Sequence, residues 1–297
     1  MPSLWTNCLQ ALKDLVIIPA HYIIYFCKEV NMKFTKMNGL GNDYIFINND
    51  IEKVIDPENL SCVLTDRHRS IGGDGIVLIE KLKEDKFYMR IFNTDGSEGE
   101  MCGNALRCLG KYVYEKNMTD STNIFVETKS GLKEINLTVE DSQIVDIKTQ
   151  IGKANLLKFD NEYVHWLLVN DYYVQVFCVT VGNPHCLFFV DNYYDDLMKI
   201  AHLISENIKI FPNRINVEVV NDNFQKGINV NVFERGSGIT LACGTGAAAT
   251  FYILNYLGFI DGFANISLPG GNLQCEFSTT GEIIIDGPAE INFEGEI

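Results

Sequence analysis

From Met32 onward the chain reads as short apolar or alternating runs divided by Gly, Asn and Asp. The runs are KFTKM (33–37), YIFIN (44–48), GIVLIE (75–80), FYMRIF (87–92), NIFVET (123–128) and KEINLTV (133–139). They continue with VQVFCVTV (174–181), CLFFV (186–190), INVEVV (215–220), INVNVFE (228–234) and EIIID (282–286). Each has the length and the turn-residue boundaries of a β-strand. Helical spacing is rarer and is clearest in two stretches, Ala105 to Lys116 (ALRCLGKYVYEK) and Gly246 to Leu257 (GAAATFYILNYL). The second is apolar nearly all round, which predicts a helix buried on every side. Many strands with few helices predict an α+β protein.

The first 31 residues differ from the rest. Their apolar stretch, Leu15 to Cys27, is broken by Pro19 and His21 and is too short for a membrane span of about 20 apolar residues. It lacks the basic start and small-residue cleavage site of a secretory signal. The expectation is that Met32 is the functional start and that residues 1–31 are an ancillary extension.

The remainder shows a modest internal repetition. A strand, a turn of small residues carrying Cys-Gly, and a buried helix occur twice, as FNTDGSEGEMCGNALRC and as FERGSGITLACGTGAAA, with Cys102 and Cys243 separated by 141 positions. Two mirrored halves facing one another would present both cysteines to one ligand.

Length and charge narrow the possibilities. The 297 residues exceed what one ordinary core needs, which favours two domains. A formal charge of −15 without a strong basic cluster disfavours a nucleic acid or an anionic membrane as partner. It also means that an anionic ligand must be captured by local donors, such as helix N-termini and Arg235. The nine cysteines are scattered and never spaced as CxxC, so neither a zinc site nor a redox dithiol is indicated. A reducing cytoplasm fits this usage best. Cys178 and Cys186, in apolar surroundings, read as small buried hydrophobes.

Cys102 and Cys243 are different, because each precedes a Gly at the inferred start of a helix. Unpaired N–H groups and the positive end of the helix dipole favour negative charge there, so both thiols are expected to have lowered pKa values. A packed structural thiol is the alternative for either cysteine alone; matched settings favour function. Inverting a carbon stereocentre needs a base on one face and an acid on the other, and a thiolate with a thiol meets that need. No lysine motif or phosphate loop suggests pyridoxal phosphate, so no cofactor and no metal are expected. The carbanion would then depend on fixed donors and exclusion of water. Backbone N–H groups at Gly103, Asn104, Gly244 and Thr245 could supply an anion site between two helix starts.

The segments MNGLGNDYIFIN, DRHRSIGGDGI, NTDGSEGEMCGNALRC, VGNPHC, INVEVV and FERGSGITLACGTGAAA, in this order, resemble the signature blocks of the diaminopimelate epimerases. The resemblance covers essentially Met32 to the C-terminus. It implies that Cys102 and Cys243 are the catalytic acid–base pair, with His185 as helper to the first and Glu234 as helper to the second. It further implies that Asn42, Asn93, Asn183 and Asn216 orient the substrate, with Glu234 also at its binding site. Arg235 would bind the distal carboxylate, and Gly103, Asn104, Gly244 and Thr245 would bind the carboxylate at the reacting carbon. From the residues alone, His185 reads as a turn or core residue rather than a base, the asparagines as turn formers, and Glu234 with Arg235 as a surface ion pair. The bidentate fork of Arg235 suits a carboxylate.

The implied fold is two pseudo-symmetric α+β domains, each a curled, mainly antiparallel sheet around a central helix. The expected units are 32–146 plus 286–297, and 147–285, with the site between them. The implied reaction converts LL-2,6-diaminopimelate to the meso form, supplying lysine and cell-wall precursors. The expected partner is a small-molecule substrate, with neither nucleic acid nor membrane, and a homodimer is the assembly to be tested. Two departures from the family pattern, Ala105 after CGN and Ile239 before the TLACG segment, bear on substrate identity. A related amino-acid racemase is the nearest alternative, disfavoured by Arg235 and the set of asparagines. A non-catalytic amino-acid-binding protein or a thiol-redox protein is the alternative of another class.

Overall fold

A computed structural model describes residues 31–158, 162–170, 172–192, 196–221 and 227–297. The expectation about an ancillary extension falls, except for Asn31, outside the described residues. Within them the alternating runs fold as strands, and the same order of elements occurs twice.

The first passage runs β1 (Lys33–Gly39), β2 (Asn42–Asn48), α1 (Pro57–Leu64), β3 (Gly75–Lys81), β4 (Lys86–Asn93), β5 (Glu98–Gly99), α2 (Gly103–Glu115), β6 (Asn123–Thr128), β7 (Gly131–Glu140) and β8 (Gln143–Gly152). A single helical turn, Asn49–Glu52, follows β2. Next come β9 (Asn155–Leu156) and β10 (Val164–Val169). The second passage runs β11 (Tyr172–Thr180), β12 (Pro184–Val190), α3 (Asp196–Ser205), β13 (Asn216–Asn221), β14 (Ile228–Glu234), β15 (Gly238–Thr240), α4 (Gly244–Tyr256), β16 (Phe263–Leu268), β17 (Gly271–Phe277) and β18 (Ile283–Asp286), and β19 (Glu290–Glu296) ends the chain.

Pairing directions repeat as well as order. The first sheet pairs β1 with β2 antiparallel, β2 with β3 parallel, β3 with β4 antiparallel, β4 with β6 parallel, and β6, β7 and β8 antiparallel in succession. The second has the same directions in the series β11, β12, β13, β14, β16, β17, β18. The short strands β5 and β15 lie antiparallel on β4 and β14. The two sheets join where β8 pairs antiparallel with β18. Just beyond that seam the chain crosses over twice in the same manner: β9 pairs with β11, and β19 pairs with β1. The internal repetition is therefore one of topology, carried by far more of the chain than the few letters shared around the cysteines.

Each sheet has a helix on both faces. Leu106, Leu109 and Val113 of α2 pack against Phe46, Val77, Phe87 and Ile135 of the first sheet. Ala247, Phe251 and Leu254 of α4 pack against Val179, Val230, Ile266 and Ile285 of the second. The opposite faces are covered by Leu60 and Leu64 of α1 and by Leu197, Ala201 and Ile204 of α3. A fully buried side chain of this size contributes about 1.5–3 kcal/mol, so apolar burial holds α2 and α4 in place. Among the described residues, no helix is long and apolar enough to cross a membrane.

Candidate active site

The two special cysteines are helix N-caps. Cys102 caps α2 and Cys243 caps α4, both with extended backbone (φ −136° and −125°). Each helix thus begins directly after its cysteine, two residues before the regular apolar spacing predicts. The helix starts abut: a Cβ on Gly244 would lie 3.6 Å from the Cα of Gly103, and a Cβ on either glycine would press within 3.2 Å of Ile285 Cδ1. Glycine suits both positions because a Cβ would crowd the Ile285 side chain packed against the junction.

A turn from the first half secures this junction. Leu40 and Gly41, between β1 and β2, both have positive φ (57° and 87°), the geometry of a tight two-residue hairpin. Left-handed backbone costs a leucine about 1–2 kcal/mol. Leu40 is offset by burial, since its side chain enters the core around α4 and gains about as much or more. The result places the next residue, Asn42, at the meeting of the helix starts. There Asn104 Nδ2 donates to Asn42 Oδ1 (2.9 Å) and to the carbonyl of Ala242 (3.1 Å), the residue before Cys243. Asn104 Oδ1 accepts from Arg107 Nη2 (2.7 Å). Arg107 is fully buried, donates also to the carbonyls of Gly103 and Pro288, and so ties α2 to the segment that leads into β19.

The sulfur environments differ. Cys102 Sγ lies 3.1 Å from the Tyr44 hydroxyl. Cys243 Sγ lies 3.4 Å from Thr245 Oγ1 and accepts the N–H of Gly246 at 3.3 Å. Glu234 accepts from Thr240 Oγ1 at 2.5 Å, and its charge acts on Cys243. His185 is completely buried, with Nδ1 2.6 Å from Glu218 Oε1 and Nε2 3.0 Å from Asn183 Oδ1. Glu218 is equally buried and its second oxygen has no hydrogen-bond partner. Its first oxygen lies so near the opening turn of α4 that a Cβ on Gly246 would come within 2.7 Å of it. Buried Asn216 donates to the carbonyl of Pro184 and accepts the backbone N–H of Arg235. Arg235 is exposed, with Nη1 donating to the carbonyl of Asn213. Asn93, also exposed, donates to Ser97. It stands in register with Gly75 and, through Gly75, with Tyr44.

The expectation of acidic thiols is corrected. Burial pushes Cys102 up from the ordinary thiol value, and the Tyr44 hydroxyl and the N–H groups of Ala105 and Asn104 only partly oppose it. Cys243 is pushed well above that value by burial, with the charges of Glu234 and Glu218 adding to the effect. The physical reason is that a helix start contributes a partial charge, while taking a thiolate out of water costs more. Glu234 is itself raised by burial.

Three side chains of this region escaped the sequence reading: Tyr44, Arg107 and Glu218. A signal for the first existed. The spacing of 141 positions between the cysteines also separates Asn42 from Asn183, Tyr44 from His185, Gly75 from Asn216 and Asn93 from Glu234. Of the two departures from the family pattern, Ala105 is buried in the core around α2 with its backbone N–H acting on Cys102, and Ile239 is 67% exposed. Among the described residues there is no cluster of three or more His, Cys, Asp or Glu side chains that could hold a metal ion.

Residues 34–157 and 177–291 match the family model described as diaminopimelate epimerase. A diaminopimelate epimerase of Methanococcus maripaludis is 41% identical over 277 residues, covering 90% of this chain and 99% of that protein. One from Acetivibrio thermocellus is likewise 41% identical, covering 90% of this chain and 98% of that protein. Among solved structures, a hydroxyproline epimerase from Agrobacterium vitis with bound trans-4-hydroxy-L-proline superposes with a TM-score of 0.70 at 12% identity, covering 90% of this chain and 92% of that one. At that identity the likeness concerns the fold.

Proposed function

The chain belongs to the diaminopimelate epimerase family, and from that premise we propose how its residues carry out the reaction. It is an isomerase that epimerises LL-2,6-diaminopimelate to the meso form, a step toward lysine and cell-wall precursors. Cys102 and Cys243 act as the acid–base pair. One sulfur, as thiolate, removes the α-proton from one face, and the other, as thiol, delivers a proton to the opposite face. The charges balance: the two thiols have exchanged protonation states at the end of a turnover.

The observation that carries this reading is the meeting of two cysteine-capped helix starts from two halves of matching topology. N–H groups of Gly103, Asn104, Gly244 and Thr245 receive the carboxylate beside the reacting carbon, where the helix dipoles favour an anion. They also receive the charge that spreads onto that carboxylate as the carbanion forms. Asn42, Asn93, Asn183 and Asn216 orient the substrate. Arg235 takes the distal carboxylate with its planar fork, its backbone fixed by Asn216. Glu234, whose charge acts on Cys243, tunes and relays that sulfur's proton, and His185, its ring nitrogens held here by Glu218 and Asn183, is the helper proposed for Cys102. The proposed domains are 32–146 plus 286–297, and 147–285, a division that falls within β8 and at the last residue of β18. No cofactor takes part, the substrate is the small-molecule partner, and thiol chemistry of this kind belongs in the reducing cytoplasm. A homodimer is the assembly proposed for light scattering to test.

Incubation with LL-diaminopimelate in deuterated water, without added cofactor, tests the reading. Meso product carrying deuterium at one α-carbon is the expected result. Racemisation of another amino acid with no action on diaminopimelate would move the assignment to a related racemase.

A further inference from the structure

Resting on the reading of Cys102 as an acid–base group, we propose that Tyr44 is a further catalytic residue, its hydroxyl donating the hydrogen bond that stabilises the Cys102 thiolate. Two independent observations carry this. The first is contact: Tyr44 Oη lies 3.1 Å from Cys102 Sγ, and Tyr44 is only 6% exposed, packed in the core around α2. When Cys102 is a thiol either group can donate. When it is a thiolate only the phenol can, so the bond favours the charged state.

The second observation is place. Tyr44 and His185 are equivalent in the repeated topology, each two residues after an Asn in GNDY and GNPH, at the same spacing of 141 positions that separates the cysteines. Their strands, β2 and β12, pair in parallel with β3 and β13, where Tyr44 faces Gly75 and His185 faces Asn216 in register. Each half therefore brings one polar ring to the same position beside its central helix. In the second half the ring is held by Glu218 and Asn183; in the first it meets the sulfur directly.

Other charged or titratable groups act on this pair. Glu234, at the end of β14, opposes the thiolate; Asp74, before β3, acts on Tyr44; and α2 contributes Arg107, which favours the thiolate, and Cys108. Burial raises the Tyr44 phenol well above its ordinary value, and charge on Cys102 raises it further. Tyr44 thus keeps its proton through the pH range in which Cys102 loses one.

The test is the pH dependence of iodoacetamide alkylation, mapped separately at Cys102 and Cys243 by mass spectrometry, in the wild type and Tyr44→Phe. The Cys102 midpoint is expected to rise by about one pH unit, with Cys243 unmoved, and kcat/KM near neutrality to fall about tenfold and recover at higher pH. An unmoved Cys102 midpoint would overturn the proposal, as would equal shifts at both cysteines, the mark of loosened packing. Should Tyr44→Phe fail to fold, 3-fluorotyrosine introduced at position 44 keeps the shape and strengthens the donor. It should lower the Cys102 midpoint, and no change would again overturn the proposal. Alkylation is read without turnover, so the outcome is separable from the parent reading, which fails instead if Cys102→Ala still inverts substrate.

Discussion

The starts of α2 and α4 hold equivalent places in two halves of equal topology, and Glu234 acts on both cysteines, yet the other groups set against each sulfur differ. Near Cys102 stand a phenol donor and the buried guanidinium of Arg107. Near Cys243 stand two carboxylates, Glu218 and Glu234. The helices repeat the contrast: α2 uses Asn104 and Arg107 to bind the junction together, whereas the matching turn of α4 is Thr245 followed by Gly246 and a run of alanines. Two-fold topology supplies one thiol for each face of a carbon. Unlike surroundings let the two differ in protonation, which inversion requires, since two thiolates would give no acid and two thiols no base.

The largest effect expected is from removing either sulfur. Cys102→Ala and Cys243→Ala should each abolish inversion, while the surviving thiol exchanges the α-proton of one diastereomer only. The two variants should prefer opposite diastereomers, followed by deuterium incorporation. A variant that still inverts would mean that its cysteine is structural and that the comparison has only one catalytic side.

Next in size is the carboxylate that distinguishes the second half. Glu218→Ala leaves Nδ1 of the fully buried His185 without its hydrogen-bond partner, which costs about 1–3 kcal/mol, to be read from the urea midpoint at constant m. A loss below about 1 kcal/mol would mean that the pair is solvated and that the charge contrast is overstated.

The smallest effect is a difference in titration between the two wild-type thiols. Burial raises both, and the carboxylates raise Cys243 further, so alkylation at Cys102 should set in at lower pH than at Cys243. Both midpoints should lie above the ordinary value of about 8.5. The sign follows from the charges: a neighbouring carboxylate disfavours a thiolate, while a donor or guanidinium favours it. The reverse order would invert the assignment of the two sides.

Much of the fold was legible where burial leaves a strong apolar pattern. YIFIN, GIVLIE and INVEVV became β2, β3 and β13, central strands with a helix on each face. Strands such as β17, GNLQCEF, and β19, EINFEGE, gave little signal. Most of their side chains face solvent or are only partly covered, and their place comes from partners far along the chain. The helices α1 and α3 were missed for a related reason, being short and apolar on one side only.

By itself the sequence determined the strand-rich α+β class and the two buried helices, and it singled out Cys102 and Cys243 as a candidate pair, along with the candidate Asn, Glu and Arg residues that the family resemblance implied. These are properties of local spacing, composition and short motifs, which are present before any long-range contact forms. Only the tertiary structure decided the rest. It revealed that the repetition extends through every strand pairing, that Leu40 carries Asn42 across to the other half, and that Tyr44 reaches Cys102. It also reversed the expected direction of both thiol shifts. A helix start can be read from neighbouring letters, but the loss of water around a sulfur depends on everything folded against it, and here that loss outweighs the pull of the helix dipole.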